Sequence, residues 1–294
     1  MGKNKLFKIG VTALQSISDF KENLYVCPIC LNGFNIESIS KKELTLEHAP
    51  QRSIGGKEIL LTCVKCNNEA GHTIDAELDK REKSFAFLKA ISKEQSFSGR
   101  MKLNQGGVAT NVNVDAVNGH IHLEIPKKIN HPTGHKKIFN HLDYLATNKA
   151  LWSNEKIKLT TVYPYHKHKA RVGDLKSAYL LAFATLGYRY ILQDSLNIVR
   201  EQILNPDQKL VTGIYLGLNH TFPEERKLIE LESPIKAIIV QIDRRLIFLP
   251  PIKSDEVFFE VIISLLSNNK NGQLNGVELG WPETMEMRLD YFHS

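Results

Sequence analysis

The chain has only four cysteines and two tryptophans in 294 residues, and no apolar run of membrane-spanning length. The nearest candidate for such a run, Ala178 to Tyr188, is too short and is followed by Arg189, so it reads as a buried helix. The N-terminus, Met1-Gly-Lys-Asn-Lys-Leu-Phe-Lys, is basic but lacks the apolar core of a secretory signal, which makes a cytoplasmic protein with no membrane partner the default expectation. Internal repeats and low-complexity segments are also missing. What is present suits a globular chain: 42% apolar and 24% charged residues allow a buried core, and the length suggests two domains.

The net charge of +6 is unevenly placed. Residues 1–95 hold a net +2, residues 96–173 a net +8 and residues 174–294 a net −4. Seven of the eleven histidines share the basic middle third, which is therefore the candidate polyanion-binding surface. A solvated basic face that keeps the protein soluble explains the same charge.

Residues 1–23 read as a short lead-in strand or helix, and Asp75 to Ser92 as a helix rich in charges. Ser96-Phe-Ser-Gly-Arg and Asn104-Gln-Gly-Gly supply a polar break, read as a domain boundary between residues 1–95 and 108–294. Asn118-Gly119 is a favoured two-residue hairpin turn, and folding back on it pairs Ala116 with Ile121, Val114 with Leu123 and Val112 with Ile125 on one face. His131 to Ala150 is basic and partly helical, and Ile157 to Tyr165 alternates like a strand. Asp174 is placed to cap a helix running to about Ile203, whose buried stripe is Leu175, Ala178, Leu181, Ala182, Thr185 and Leu186. Val211 to Gly217, Ile235 to Ile242 and Arg245 to Leu249 are strand-like, and Asp255 to Leu266 is helix or strand. The expected class is α+β.

The four cysteines form two Cys-x-x-Cys pairs, Cys27/Cys30 and Cys63/Cys66, with none left over. Two such knuckles complete a tetrahedral sulfur site suited to structural zinc, and two disulfides are not expected in a reducing cytosol. Zinc alone names no activity. Between the pairs a strand ends at Glu47-His48, a loop carries Pro50 and Gly55-Gly56, a second strand runs from Glu58 to Thr62, and a helix starts near Asn67. Glu47 and the Asn67 carbonyl suit a hard divalent cation, magnesium or manganese, and a neutral His48 can take a proton from water. Arg52 and Lys57 in the loop can contact flanking phosphates.

Cys27-Pro-Ile-Cys30, Glu47-His48-Ala-Pro50, Gly55-Gly56 and Leu61-Thr-Cys-Val-Lys-Cys-Asn67-Asn68, with Gly71 and Asp75, together resemble the zinc-stapled branch of the HNH endonucleases, the ββα-metal class. The resemblance covers roughly residues 24–81. It implies a DNA phosphodiester hydrolase, RNA not being excluded, with Glu47 and Asn67 as ligands of the catalytic cation and His48 as general base. It also implies a setting such as restriction, phage defence or mobile-element biology. One active site cuts one strand, so double-strand cleavage needs a homodimer or two encounters, and the C-terminal part is left to recognise substrate, sense a signal or engage a partner protein. The family's middle asparagine falls on Glu58 here, so the loop is held differently or the histidine is less well oriented. His72 and Asp75 on the helix are further candidate ligands.

The alternative from another class is a finger that kept its zinc and only binds nucleic acid. Outside the finger, His131, His135, His141, His166 and His168 read as solvated or phosphate-contacting side chains rather than ligands. Trp152, Tyr163 and Tyr165, interleaved with Lys156, Lys158 and Lys167, can stack on unpaired bases or pack a core. The stretch from Leu175 to Phe183 reads as structural.

Overall fold

The computed structural model describes residues 2–17, 22–89, 95–103, 109–117, 120–160, 165–211, 215–216, 224–233, 236–250, 258, 260, 262 and 275–287. Its architecture is α+β, with antiparallel sheets. Among the described residues no helix is long and apolar enough to cross a membrane.

The lead-in is a helix, α1 (Lys3–Gln15), which buries Leu6, Phe7, Val11 and Leu14 on one face. Two short strands, β1 (Tyr25–Val26) and β2 (Gly33–Phe34), pair around the first cysteine knuckle. After a helical turn, α2 (Glu37–Ser40), β3 (Leu44–Ala49) and β4 (Lys57–Cys63) form a hairpin. Helix α3 (Val64–Ala70) starts directly after β4, a π-helical turn covers Gly71–Asp75, and α4 (Ala76–Lys89) continues the chain.

The middle segment makes its own sheet from β5 (Gln95–Leu103), β6 (Ala109–Val117), β7 (His120–Glu124) and, after α5 (Pro132–Thr147) and α6 (Lys149–Trp152), β8 (Ile157–Thr160). Strand order is β7-β6-β5-β8. The register Ala116 to Ile121 and Val114 to Leu123 is the one expected from the Asn118-Gly119 turn, which itself lies outside the described residues, as does the Asn104-Gln-Gly-Gly stretch. Ser96 to Arg100, read as a polar break, is instead part of β5, where it pairs with β6. From Ser98 to Leu103 exposed residues alternate with buried or half-buried ones because only one face of the sheet is covered.

The third segment opens with α7 (Lys167–Leu186), followed by α8 (Tyr188–Ile191), α9 (Asn197–Leu204) and a five-stranded sheet. That sheet has the order β13-β10-β11-β12-β9, from β9 (Tyr215–Leu216), β10 (Glu225–Ser233), β11 (Ala237–Asp243), β12 (Arg245–Leu249) and β13 (Asn275–Glu278). Asp174 does not cap α7. The His166 ring nitrogen accepts from the Lys169 amide and caps it two turns earlier, while Asp174 is buried mid-helix, 3.6 Å from the Arg245 guanidinium. The helix also ends earlier than expected, at Gly187 with φ +73°. Most of Asp255 to Leu266 lies outside the described residues.

The chain divides into two compact units, residues 1–79 with 165–294, and residues 80–164. This differs from a boundary near residue 100, and the reason is a shared core. Leu6, Tyr25, Leu44, Leu60, Leu61, Ile74 and Leu78 from the cysteine-bearing segment pack in one cluster with Leu175, Leu181 and Phe183 of α7 and Val240 and Ile247 of the last sheet. Helix α7 is buried on all sides from Val172 to Leu186, as a central helix of a large core must be.

The loop between β3 and β4 shows why two glycines stand together. Gly55 has φ +76°, a left-handed conformation, and a Cβ there would lie 3.1 Å from the nearest guanidinium nitrogen of Arg226. At Gly56 an added Cβ would lie 1.3 Å from the Pro50 carbonyl oxygen, a backbone atom that cannot step aside. Gly56→Ala is therefore expected to cost about 3 kcal/mol or more, and Gly55→Ala about 1 kcal/mol. Urea unfolding of the two variants checks this, and equal losses would contradict it.

Candidate metal centre and the adjoining buried charge cluster

The four sulfurs of Cys27, Cys30, Cys63 and Cys66 lie within 4.8 Å of one another and could hold a metal ion such as zinc. Each knuckle is built locally. The Cys27 amide donates to Asn32 O and the Leu31 amide to Cys27 O, which turns the first pair, with Leu31 at φ +59°. In the second, Cys63 is the N-cap of α3 and its sulfur accepts from the Cys66 amide at 3.4 Å. The donor set fits the ion. Zinc–sulfur bonds of about 2.3 Å in a tetrahedron put sulfurs about 3.8 Å apart, and the Cys30 and Cys63 sulfurs are separated by 3.7 Å. Hydrogen bonding within the sulfur cluster lowers the Cys30 and Cys63 thiols and raises those of Cys27 and Cys66, as four thiols sharing protons at close range must.

The first knuckle is seated on the later helices. Tyr179 donates to the Pro28 carbonyl at 2.6 Å, and the Tyr188 hydroxyl accepts from the Val26 amide at 3.0 Å and donates to the Val26 carbonyl. These two tyrosines sit at or beside a stretch that reads as purely structural in the sequence.

The second feature is a buried charge cluster. Glu47 on β3 is 5% exposed; it accepts from the Thr62 hydroxyl and from the Lys176 ammonium, each at 3.1 Å. Lys176, mid-way along α7 and 2% exposed, also donates to Asp75 at 2.7 Å. Two carboxylates thus share one ammonium. Burial raises Glu47 above the usual carboxylate value and outweighs the opposing pull of Lys176. Burial alone would lower Lys176, but Glu47 and Asp75 together hold it above the ordinary lysine value. Asp75 Oδ1 and Gln51 Oε1 are buried without a hydrogen-bond partner, while Gln51 donates to the Asp75 carbonyl at 2.8 Å. An all-oxygen donor set with excess negative charge and an orphaned carboxylate oxygen fits a hard divalent cation, with Lys176 as its competitor.

His48, the next residue on β3, faces a different environment. Its side chain is 29% exposed, with Nε2 3.9 Å from a Glu58 carboxylate oxygen. The register explains the pairing. Glu47 is opposite Leu60 but His48 is opposite Glu58, so a bulge at Ile59 re-aims the end of the hairpin. Glu58 thus stands beside the imidazole, where the family's middle asparagine is expected. Asn67, on the first turns of α3, donates to the Leu46 carbonyl at 3.4 Å, which leaves its own carbonyl oxygen as the candidate ligand. The structure brings Asn67 against β3 and joins Glu47 to Asp75 through Lys176. Among the described residues it places no hydrogen bond between the side chains of Glu47, His48 and Asn67.

Of the loop cations, Arg52 is exposed on a 3-10 turn (Arg52–Ile54), and Lys57 pairs with Glu283. Arg226 grips the loop by donating to the Ile54 and Gly55 carbonyls, and lies 5.8 Å from the centre of the Trp281 ring. A cleft of about 300 Å³ lies between this loop, Arg226 and Trp281.

Sequence reasoning missed Lys176. Its one visible signal is a lysine inside an otherwise apolar run, Leu175-Lys-Ser-Ala-Tyr-Leu-Leu, which a helix buried on all sides must neutralise. No family model, curated protein or solved structure matches the chain.

Proposed function

We propose that the protein is a metal-dependent endonuclease that hydrolyses DNA phosphodiester bonds on the hairpin-and-helix module between Cys27 and Arg81. The observation that carries this reading is the docking of Asn67 against Leu46, beside the Glu47-His48 pair, on a module whose ends are clamped by four cysteines. Glu47 and Asn67 would hold a magnesium or manganese ion, with Asp75 the next carboxylate in reach of the cluster. Such an ion supplies charge stabilisation at the phosphorus centre and at the departing oxygen.

The chain's own residues do the rest. His48 accepts the proton of the attacking water; its partial exposure lets water reach the ring, whose Nε2 has the Glu58 carboxylate 3.9 Å away. Exposed Arg52 can contact a neighbouring phosphate, and Lys57 can do so on releasing Glu283.

His48→Ala is expected to cut the rate of plasmid nicking at least about a hundredfold while leaving the melting temperature and zinc content unchanged. Nicking with magnesium or manganese that is equal in the wild type and in His48→Ala removes the mechanism. A second reading is favoured by one specific contact: Lys176 already occupies the Glu47 carboxylate, as it would in a zinc-stapled module that binds nucleic acid without cutting it. DNA binding with no metal-dependent cleavage of DNA or RNA selects that reading.

A further inference from the structure

The positive charge of this protein resides in one unit. Residues 80–164 hold 14 Lys/Arg against 6 Asp/Glu, a net +8, which leaves the rest of the chain at −2. The sheet of this unit is covered on one side only, where Ile138 and Leu142 of α5 pack with Met101, Leu103, Val112 and Val114. Strand alternation sends Arg100, Lys102 and Lys158 to the other face, and all three are exposed.

The register makes that face unusual. Lys102 of β5 is directly opposite Lys158 of β8, and Arg100 is opposite Thr160. Directly opposed residues have Cβ atoms about 5 Å apart, and like charges there destabilise the pair. No ion pair relieves Arg100, Lys102 or Lys158 among the described residues. The same-face carboxylates, Asp115 and Glu124, lie toward the far end, opposite Ser96 and Asn113 respectively. Asn130 extends the basic tract: it exchanges hydrogen bonds with Asn111, the β6 partner of Arg100, and so docks the exposed turn carrying Lys127 and Lys128 at this edge.

We infer that the open face of the β7-β6-β5-β8 sheet, centred on Arg100, Lys102 and Lys158, binds the phosphate backbone of nucleic acid. A polyanion removes the repulsion between opposed lysines, and among its described side chains this face presents no large apolar group that would insert into a lipid surface. Its residues are suited to phosphates, not base edges, so binding is independent of sequence. The choice of nucleic acid among polyanions rests on the nuclease reading, but the binding itself does not require cleavage.

The test uses the full chain carrying His48→Ala, with no magnesium or manganese added and no chelator, and a labelled short DNA duplex titrated between about 50 and 200 mM salt. Lys102→Glu with Lys158→Glu is expected to weaken binding at least about tenfold and to reduce the slope of log affinity against log salt by about 2, close to one per lost phosphate contact. Lys102→Gln with Lys158→Gln gives a smaller loss with a melting temperature no lower than that of the parent, which separates binding from folding. Unchanged affinity and slope in both variants overturn the inference, as does a failure of the parent to bind DNA. Dependence of anionic phospholipid vesicle binding, but not DNA binding, on these lysines also overturns it. If the chain with His48 intact nicks DNA while the lysine variants bind normally, the nuclease reading stands and this surface falls. If binding is lost in the variants but no metal supports cleavage, the surface stands and the nuclease reading falls.

Discussion

Lys176→Met is expected to destabilise the protein by about 3–5 kcal/mol, because it leaves two carboxylates in the core without a counter-charge. Lys176 sits between Glu47 and Asp75 at 3.1 and 2.7 Å, and Glu47 is already raised by burial. Methionine keeps the unbranched apolar stem and ends one atom short of the ammonium, so the loss reports mainly on charge and little on a cavity. The triple variant Glu47→Gln, Asp75→Asn, Lys176→Met is expected to recover most of the loss, since neutral groups of similar shape carry little desolvation penalty. Urea unfolding of the single and triple variants measures both. The pH dependence follows from the same contact. A lysine held above its ordinary value of 10.5 contributes stability that is fully present below that value and is lost as pH rises through the folded-state value. The parent is thus expected to lose stability above pH 10.5 by a step that is missing in the triple variant.

Removal of the ion from the sulfur site is expected to have the largest effect of all. Structural zinc in small fingers is worth on the order of 10 kcal/mol or more. Here the knuckles are not an independent finger, because Tyr179 and Tyr188 tie the first one to α7 and α8 and the surrounding apolar residues belong to the shared core. Chelation, or Cys66→Ser, should therefore unfold the unit formed by residues 1–79 and 165–294 as a whole. One zinc per chain by elemental analysis, and a melting temperature that collapses on chelation, are the expected results. A chain that purifies without metal and melts identically with and without chelator would contradict the assignment.

Local chemistry was readable from residues close in the chain. The two cysteine spacings foretold one cluster, and the Asn118-Gly119 turn with its flanking alternation foretold the pairing of β6 with β7. Contacts between distant residues were not readable. Glu47 and Lys176 are 129 positions apart, and Tyr179 and Pro28 are 151 apart, so nothing in the spacing announces either bond. A polar, glycine-containing stretch resembles a linker whether it leaves a sheet or, as at Ser96 to Arg100, lies within one. Asp174 resembled a cap because it precedes an apolar stripe. The helix extends past it because Arg245, 71 positions later, supplies the charge that lets an aspartate be buried. At the candidate site the residue types were legible, but their directions were not. A bulge at Ile59, invisible in the sequence, decides that His48 meets Glu58 while Glu47 turns to the core.

The proposed cleavage requires a divalent cation to reach Glu47 in competition with Lys176. The direct measurement is a crystal soaked in manganese, with anomalous diffraction collected at the metal edge. A peak bonded to a Glu47 carboxylate oxygen and the Asn67 amide oxygen, with His48 on the same side, is the predicted result. No peak in that place, with the Lys176 ammonium still seated between Glu47 and Asp75, would contradict it.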